Sequence, residues 1–193
     1  AGLNVKIVQP PENSAATQVC AAGQAQFTVE AQDTLAAAFT AEDKIGVTAV
    51  AAILQHNTSG IMSKAGSGMD TPAGLTGNTY LTWDSPIELA IMKKAVNSNG
   101  GDWDKVKVIP NTVTEEAQDV NANPDHAIWV FYGWGGINAE VSGVDTDYFS
   151  FKDIDETFDY YSYVTDGYIN YGIQMGRCAA GDSAHMGRRK HCI

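Results

Sequence analysis

Apolar and polar positions recur with two different periods along the first third of the chain. Alternation at every second residue indicates strands, and apolar residues spaced three or four apart indicate helices. The predicted elements are strands over 3–9, 25–30 and 47–54 and helices over 14–22 and 33–41. The segment 47–54 is an unbroken apolar run, which is typical of a strand buried on both faces.

The same succession of strands and helices continues to about residue 151. Further strands are predicted over 79–83, 105–109, 126–132 and 148–151, and helices from Pro86, Thr114 and Ile137. Because the two element types alternate along the chain, the sequence predicts an α/β fold with mainly parallel sheets.

Two glycine-rich stretches, 64–69 and 143–147, interrupt this alternation. We interpret them as the places where the chain crosses from one lobe to another and returns. The predicted first lobe therefore comprises residues 1–58 plus 146–193, and the predicted second lobe comprises 59–145.

The composition is globular, with 44% hydrophobic and 18% charged residues among 193. The net charge of −11 disfavours nucleic-acid binding, and no apolar run reaches the roughly 18 residues that a membrane span requires. The chain opens in strand-like sequence rather than in a signal peptide, and the aperiodic segment 177–193 is expected to carry no function.

Three cysteines without CxxC spacing argue against a zinc site. Cys20 is expected to be a small buried hydrophobe. The sequence does not decide whether Cys178 and Cys192 form a disulfide bridge.

Polar and aromatic side chains collect at three predicted strand ends that lead into helices. In open α/β sheets, ligands bind outside the carboxyl ends of the strands, next to the positive ends of helices. The candidate ligand-binding residues at these ends are Gln32 with Asp33, Trp83 with Asp84, and Tyr132 with Trp134. Asn57, in the HNTSG exit of the buried strand, is added to this set.

Each candidate also has a structural alternative. Asp33 and Asp84 fit equally well as helix N-caps, and Trp83 fits equally well as a core residue. The sequence contains no GxSxG, P-loop, HExxH or strand-following GxGxxG motif, so no catalytic residue, cofactor or metal site is predicted.

The segment AIWVFYGWGG, residues 127–136, places four aromatic residues just before two glycines. Alternation along a strand puts Trp129 and Phe131 on one face, where we expect them in the core, and leaves Tyr132 at the exit. Gly135 and Gly136 are expected to let the backbone turn and approach a ligand closely.

Several long blocks carry a family resemblance: HNTSGIMS at 56–63, TWDSPIELAIMKKAV at 82–96, KVKVIPNT at 105–112 and AIWVFYGWGGI at 127–137. In this order they resemble the periplasmic substrate-binding proteins of ABC importers in the thiamine-precursor group, which are similar to the eukaryotic thiamine pyrimidine synthases. The resemblance covers about residues 1–165.

The resemblance implies a type II periplasmic-binding fold, in which two α/β lobes close on a small molecule around a hinge. It implies a pyrimidine-like ligand held by aromatic stacking, ABC permease subunits as partners, and an extracytoplasmic location, with a lipid anchor if the native N-terminus carries one. By the family pattern, Gln32 and Asp33, the TWD block and the YGW block supply the contacts.

Two departures from the family pattern change these expectations. Gly135 stands where the family usually has an acidic residue, which removes a carboxylate that could pair with an aminopyrimidine. The family's first strand and its C-terminal helices have no counterpart here, so the first lobe is expected to be incomplete. The leading hypothesis is a solute-binding protein; the alternatives are a thiamine pyrimidine synthase-like enzyme and a truncated product that binds nothing.

Overall fold

The structure is a computed structural model, and it describes residues 4–11, 14–42, 45–160 and 164–168. The described helices are α1 (Ala16–Ala21), α2 (Gln32–Thr40), α3 (Pro86–Ser98), α4 (Glu116–Ala122) and α5 (Ile137–Val141). The described strands are β1 (Phe27–Glu30), β2 (Val47–Ala52), β3 (Ser59–Lys64), β4 (Thr79–Thr82), β5 (Lys107–Pro110), β6 (His126–Phe131), β7 (Thr146–Ser150) and β8 (Val164–Tyr168).

The chain divides into two compact units, Ala1–Gln55 with Tyr161–Ile193, and His56–Tyr160. This division differs from the predicted lobe boundaries. Residues 146–150 form β7, which pairs with β3, so the segment that follows residue 145 belongs to the second unit up to residue 160. None of the described helices is long and apolar enough to cross a membrane.

The first unit contains a three-stranded sheet in the order β1-β8-β2. β8 is antiparallel to both neighbours, so β1 and β2 run in the same direction. Cys20, Leu35 and Val47 form the buried cluster, which confirms the expectation for Cys20. Cys178 and Cys192 lie outside the described residues.

Three local predictions for the first unit are wrong. Residues 4–9 form no strand, because a period-two pattern cannot supply a partner strand. β2 is largely exposed beyond Val47, because Val47 is its one residue in the buried cluster of the described part of this unit. α2 has Ala31 as its N-cap, and Asp33 instead lies in the first helical turn, where a carboxylate interacts favourably with the helix dipole.

The second unit contains a five-stranded sheet in the order β5-β4-β6-β3-β7. β4 is parallel to β5 and β6, whereas β3 is antiparallel to β6 and β7. Four of the five strands therefore run in the same direction, which confirms the predicted α/β class and its mainly parallel sheet.

Helices cover both faces of this sheet, because successive side chains of each strand point to opposite sides. Trp129 of β6 packs with Met92 and Val96 of α3 on one face. Ile128 and Val130 pack with Ala117 and Val120 of α4 on the other face. The predicted core position of Trp129 is confirmed, since it is 5% exposed, whereas Phe131 is only half-buried.

β3 is a strand that the sequence pattern does not predict, since its SGIMSK sequence lies where the predicted HNTSG exit runs into the glycine-rich stretch 64–69. Every residue from Ser59 to Ser63 is buried between β6 and β7. A Cβ at Gly60 would lie 2.2 Å from the backbone oxygen of Phe149, so only glycine allows β3 and β7 to approach this closely.

Candidate functional site

The parallel pairing of β4 and β6 brings their carboxyl ends together, and Trp83, which follows β4, meets two aromatic residues of β6 there. The Trp83 ring stacks on Phe131 at a centroid distance of 6.5 Å and an interplanar angle of 14°, and lies 5.7 Å from Trp129. We call Trp83, Trp129 and Phe131 the aromatic shelf. Trp83 is 49% exposed, so the core alternative for this residue is wrong, and part of its indole is available to a ligand.

Glu88 in the first turn of α3 holds the shelf in place. Its buried carboxylate accepts hydrogen bonds from the Trp83 N–H at 3.0 Å, the Thr82 hydroxyl at 3.1 Å and the Tyr80 hydroxyl at 2.5 Å. It also accepts the N–H of Ser85, the N-cap of α3, at 3.3 Å. Burial first, and the nearby Glu88 carboxylate second, raise the pKa of Tyr80 well above its usual range, so this phenol stays a hydrogen-bond donor.

Asp84 presents its exposed carboxylate beside Trp83 on an unusual backbone. Its φ of 61° makes it the one described non-glycine residue with positive φ, and its N–H donates to the Thr82 hydroxyl at 2.8 Å. Because Ser85 is the N-cap of α3, the capping alternative for Asp84 is wrong. A left-handed conformation away from glycine costs about 1–3 kcal/mol and occurs preferentially at binding sites.

The π-helical turn Tyr132–Gly136 follows β6 and carries the other two aromatic candidates. Trp134 is 77% exposed and Tyr132 is 40% exposed. The phenol of Tyr132 donates a hydrogen bond to Glu140, and this carboxylate raises the pKa of Tyr132.

Two of the three glycines of the turn, Gly135 and Gly136, are required for packing, which corrects the expectation that they give a ligand access to the backbone. Both are buried. A Cβ at Gly135 would lie 2.8 Å from the Cβ of Val130, and one at Gly136 would lie 2.6 Å from the Tyr132 ring. Their absent side chains therefore let the turn fold back on β6 and on Tyr132.

Asn57 is buried and its side chain is bonded within the protein. Its side-chain nitrogen donates to the backbone oxygen of Phe158 at 2.8 Å, and its side-chain oxygen accepts the N–H and hydroxyl of Ser59. The backbone N–H of Asn57 donates to Asp159, whose pKa is lowered first by the hydrogen bond from His56. These contacts make Asn57 a residue that positions the start of β3.

The remaining two candidates lie in the first unit. Gln32 and Asp33 are the first two residues of α2, and both are half-buried. The Asp33 carboxylate accepts the N–H of Thr34 at 2.8 Å. The structure therefore places Trp83 and Asp84 after β4 and the 132–136 turn after β6, both in the second unit, and it places Gln32 and Asp33 in the first.

Sequence reasoning missed two carboxylates near the shelf and the turn. Ser85 followed three residues later by Glu88 is a capping-box pattern, and this signal could have found Glu88. Glu116 begins α4, and one of its oxygens lies 3.5 Å from where a Cβ of Gly135 would stand. Burial raises the pKa of Glu116. Only the packing of α4 against the turn shows this proximity.

No group of three His, Cys, Asp or Glu side chains in the described ranges could hold a metal ion. What the site offers is flat aromatic surface, carboxylates and hydrogen-bonding backbone. Such a surface suits a flat polar molecule, with rings for stacking and oxygens that accept N–H groups.

The chain matches a family model described as NMT1/THI5 like over residues 1–168. It belongs to this family. No curated protein sequence matches the chain significantly.

Solved structures share the fold of this NMT1/THI5-like chain at low sequence identity. The aliphatic sulphonate binding protein SsuA from Escherichia coli is 12% identical with a TM-score of 0.62, over 85% of this chain and 51% of that chain. The alkanesulfonate-binding protein SsuA from Xanthomonas axonopodis pv. citri, bound to MOPS, is 10% identical with a TM-score of 0.56, over 85% of this chain and 55% of that chain. An ABC transporter protein from Parabacteroides distasonis is 12% identical with a TM-score of 0.60, over 91% of this chain and 60% of that chain. The chain thus spans about half the length of these proteins.

Proposed function

We propose that this NMT1/THI5-like chain is the solute-binding component of an ABC importer, and that its ligand is a thiamine pyrimidine precursor or a similar small heterocycle. The observation that carries the proposal is the half-exposed Trp83 on a stacked aromatic shelf, with the Asp84 carboxylate beside it on a strained backbone. Family membership and the fold of the sulfonate-binding proteins support the transport role.

In this proposal the aromatic side chains bind the faces of the ligand and Asp84 binds its polar edge. Trp83 supplies the stacking surface, while Tyr132 and Trp134 contribute from the neighbouring turn. Gln32 and Asp33 stay ligand-binding candidates proposed from the sequence, and Asn57 acts indirectly through β3. The importer's permease subunits are the proposed partners, which places the chain outside the cytoplasm.

The charge of the site favours an amine-bearing heterocycle over a sulfonate. The exposed Asp84 follows Trp83 directly, and a carboxylate oxygen of Glu116 lies 3.5 Å from where a Cβ of Gly135, the residue after Trp134, would stand. Carboxylate oxygens accept hydrogen bonds from an exocyclic amine and repel an anion. Glu116, next to Gly135, could supply the carboxylate that the family pattern would place at position 135.

Titration with 4-amino-2-methylpyrimidine, followed by tryptophan fluorescence, tests the proposal. We expect a saturable change that is lost in Trp83→Ala. It should be retained in Trp103→Phe, a matched control that removes an indole packed against Tyr80 rather than on the shelf. MOPS should give no such change. The absence of any response to the pyrimidine, or an equal response to MOPS, would contradict the proposal.

The enzyme alternative rests on one observation, the shared fold of a desulfurization enzyme, DSZB, which is 10% identical with a TM-score of 0.51 over 79% of this chain and 58% of that chain. A thiamine pyrimidine synthase-like enzyme would bind pyridoxal phosphate or iron. Absorbance of either group in the purified protein would favour this alternative over transport.

A further inference from the structure

A groove of about 370 Å³ runs along the second unit beside α5 and the start of β7. Its side-chain lining comes from Tyr132, Glu140, Val144, Asp145, Thr146 and Tyr148, and two glycine backbones complete it. It shares Tyr132 with the proposed heterocycle site but contains neither Trp83 nor Trp134. The proposed function assigns no role to this groove.

Two tyrosine rings form the aromatic part of the groove, and both are held in place. Tyr132 and Tyr148 lie with ring centroids 5.1 Å apart at an angle of 57°. The Tyr148 hydroxyl donates to the backbone oxygen of Thr58 at 3.2 Å, and the Tyr132 hydroxyl donates to Glu140. Both rings line the groove, so a molecule bound there would contact aromatic surface.

The charged side chains of the groove are all acidic. Glu140 and Asp145 contribute carboxylates, and none of the residues that line the groove is Lys, Arg or His. Tyr132 engages one oxygen of Glu140, and a carboxylate offers about four acceptor positions, so further donors can bind. Burial raises the pKa of Tyr148 to about 12, so this ring stays an uncharged phenol at neutral pH.

We propose that this groove binds an organic ammonium ion. Electron-rich aromatic faces attract a positive charge within about 6 Å of the ring centroid, and the nearby carboxylates supply the counter-charge. An inorganic cation fits less well, because it requires several oxygen ligands around one point, and the described residues contain no such cluster. An anion would meet two carboxylates and no cationic side chain.

Calorimetric titration with choline and with 3,3-dimethyl-1-butanol, its uncharged isostere, tests the proposal. Choline should bind, and the isostere of equal shape should bind at least about tenfold more weakly, because it lacks the charge that the rings and carboxylates recognise. Equal binding of the two compounds, or no binding of choline, would overturn the proposal.

Variants locate the binding site. Glu140→Gln, which keeps an acceptor for the Tyr132 hydroxyl, and Tyr148→Leu, which removes a ring face, should each weaken choline binding about fivefold to tenfold. Tyr148→Phe retains the ring and should bind choline within about twofold of the parent protein. If Glu140→Gln and Tyr148→Leu both leave choline affinity unchanged, the groove is not the site.

One further variant separates this proposal from the proposed function. Trp83→Ala should abolish the pyrimidine response and leave choline binding intact, since Trp83 does not line the groove. Loss of choline binding in Trp83→Ala would place the ammonium on the aromatic shelf and would refute a separate site.

Discussion

Replacing Glu88 by glutamine tests whether this buried carboxylate organises the aromatic shelf. The side chain is 4% exposed and accepts hydrogen bonds from four donors: the hydroxyls of Tyr80 and Thr82 and the N–H groups of Trp83 and Ser85. Glutamine has nearly the same shape, but it keeps one acceptor oxygen and turns an NH₂ group toward donors that need an acceptor.

The expected loss of stability follows from this count. The second carboxylate oxygen accepts from Thr82, Trp83 and Ser85, and the first accepts from the Tyr80 hydroxyl and, at 3.1 Å, also from the Trp83 N–H. If the amide oxygen takes the place of the second oxygen, the NH₂ group faces the two donors of the first. At least one charge-assisted hydrogen bond is lost and the others weaken, which costs about 2 kcal/mol. Glu88→Ala leaves several buried donors without an acceptor and opens a cavity, so a loss on the order of 4 kcal/mol is expected.

Urea unfolding followed by tryptophan fluorescence measures these losses in the second unit alone, because all four tryptophans of the chain lie within residues 56–160. If the free energy of unfolding falls by roughly 2 kcal/mol per M urea, Glu88→Gln should lower the urea concentration at the unfolding midpoint by about 1 M. Glu156→Gln makes the same charge change at an exposed position and serves as the control. A Glu88→Gln midpoint indistinguishable from that of Glu156→Gln would refute the reasoning.

Two other predictions concern the turn and the tyrosines. Gly135→Ala should cost about 1–3 kcal/mol because its Cβ would collide with Val130, whereas Gly133→Ala, which meets nothing within 4 Å, should be neutral or slightly stabilising in the same urea assay. The pKa values of Tyr80 and Tyr148 are raised in the folded protein, so the unfolded chain releases these protons first. The second unit should therefore lose stability as the pH rises above about 10, and a flat midpoint between pH 9 and 11 would contradict this.

The sequence located most elements of the second unit because their signals are local. The pattern Ser85, Pro86 and Glu88 marks the start of a helix wherever the chain goes, and aromatic and β-branched residues favour the strands before it. The sequence also placed Trp83 and Tyr132 at strand ends, since residue order alone fixes which side chain follows a strand.

The elements that sequence reasoning missed depend on distant partners. β3 has a weak strand sequence and forms because β6 and β7 bond to both of its edges, while the apolar run of β2 lies at a sheet edge in the first unit. The pattern of apolar and polar residues along the chain shows neither which strands pair nor which faces of a sheet are covered.

The sequence by itself determined the alternation of strands and helices and the aromatic content of the strand ends, because propensity, capping and periodicity act over a few residues. Tertiary structure decided that Trp83 stacks on Phe131 and that Glu88 bonds both the helix start and the shelf. It also decided that Gly135 packs so closely against Val130 that a side chain at position 135 would collide with it. Each of these contacts joins residues from different elements, and only strand pairing and close packing bring such residues within reach of one another.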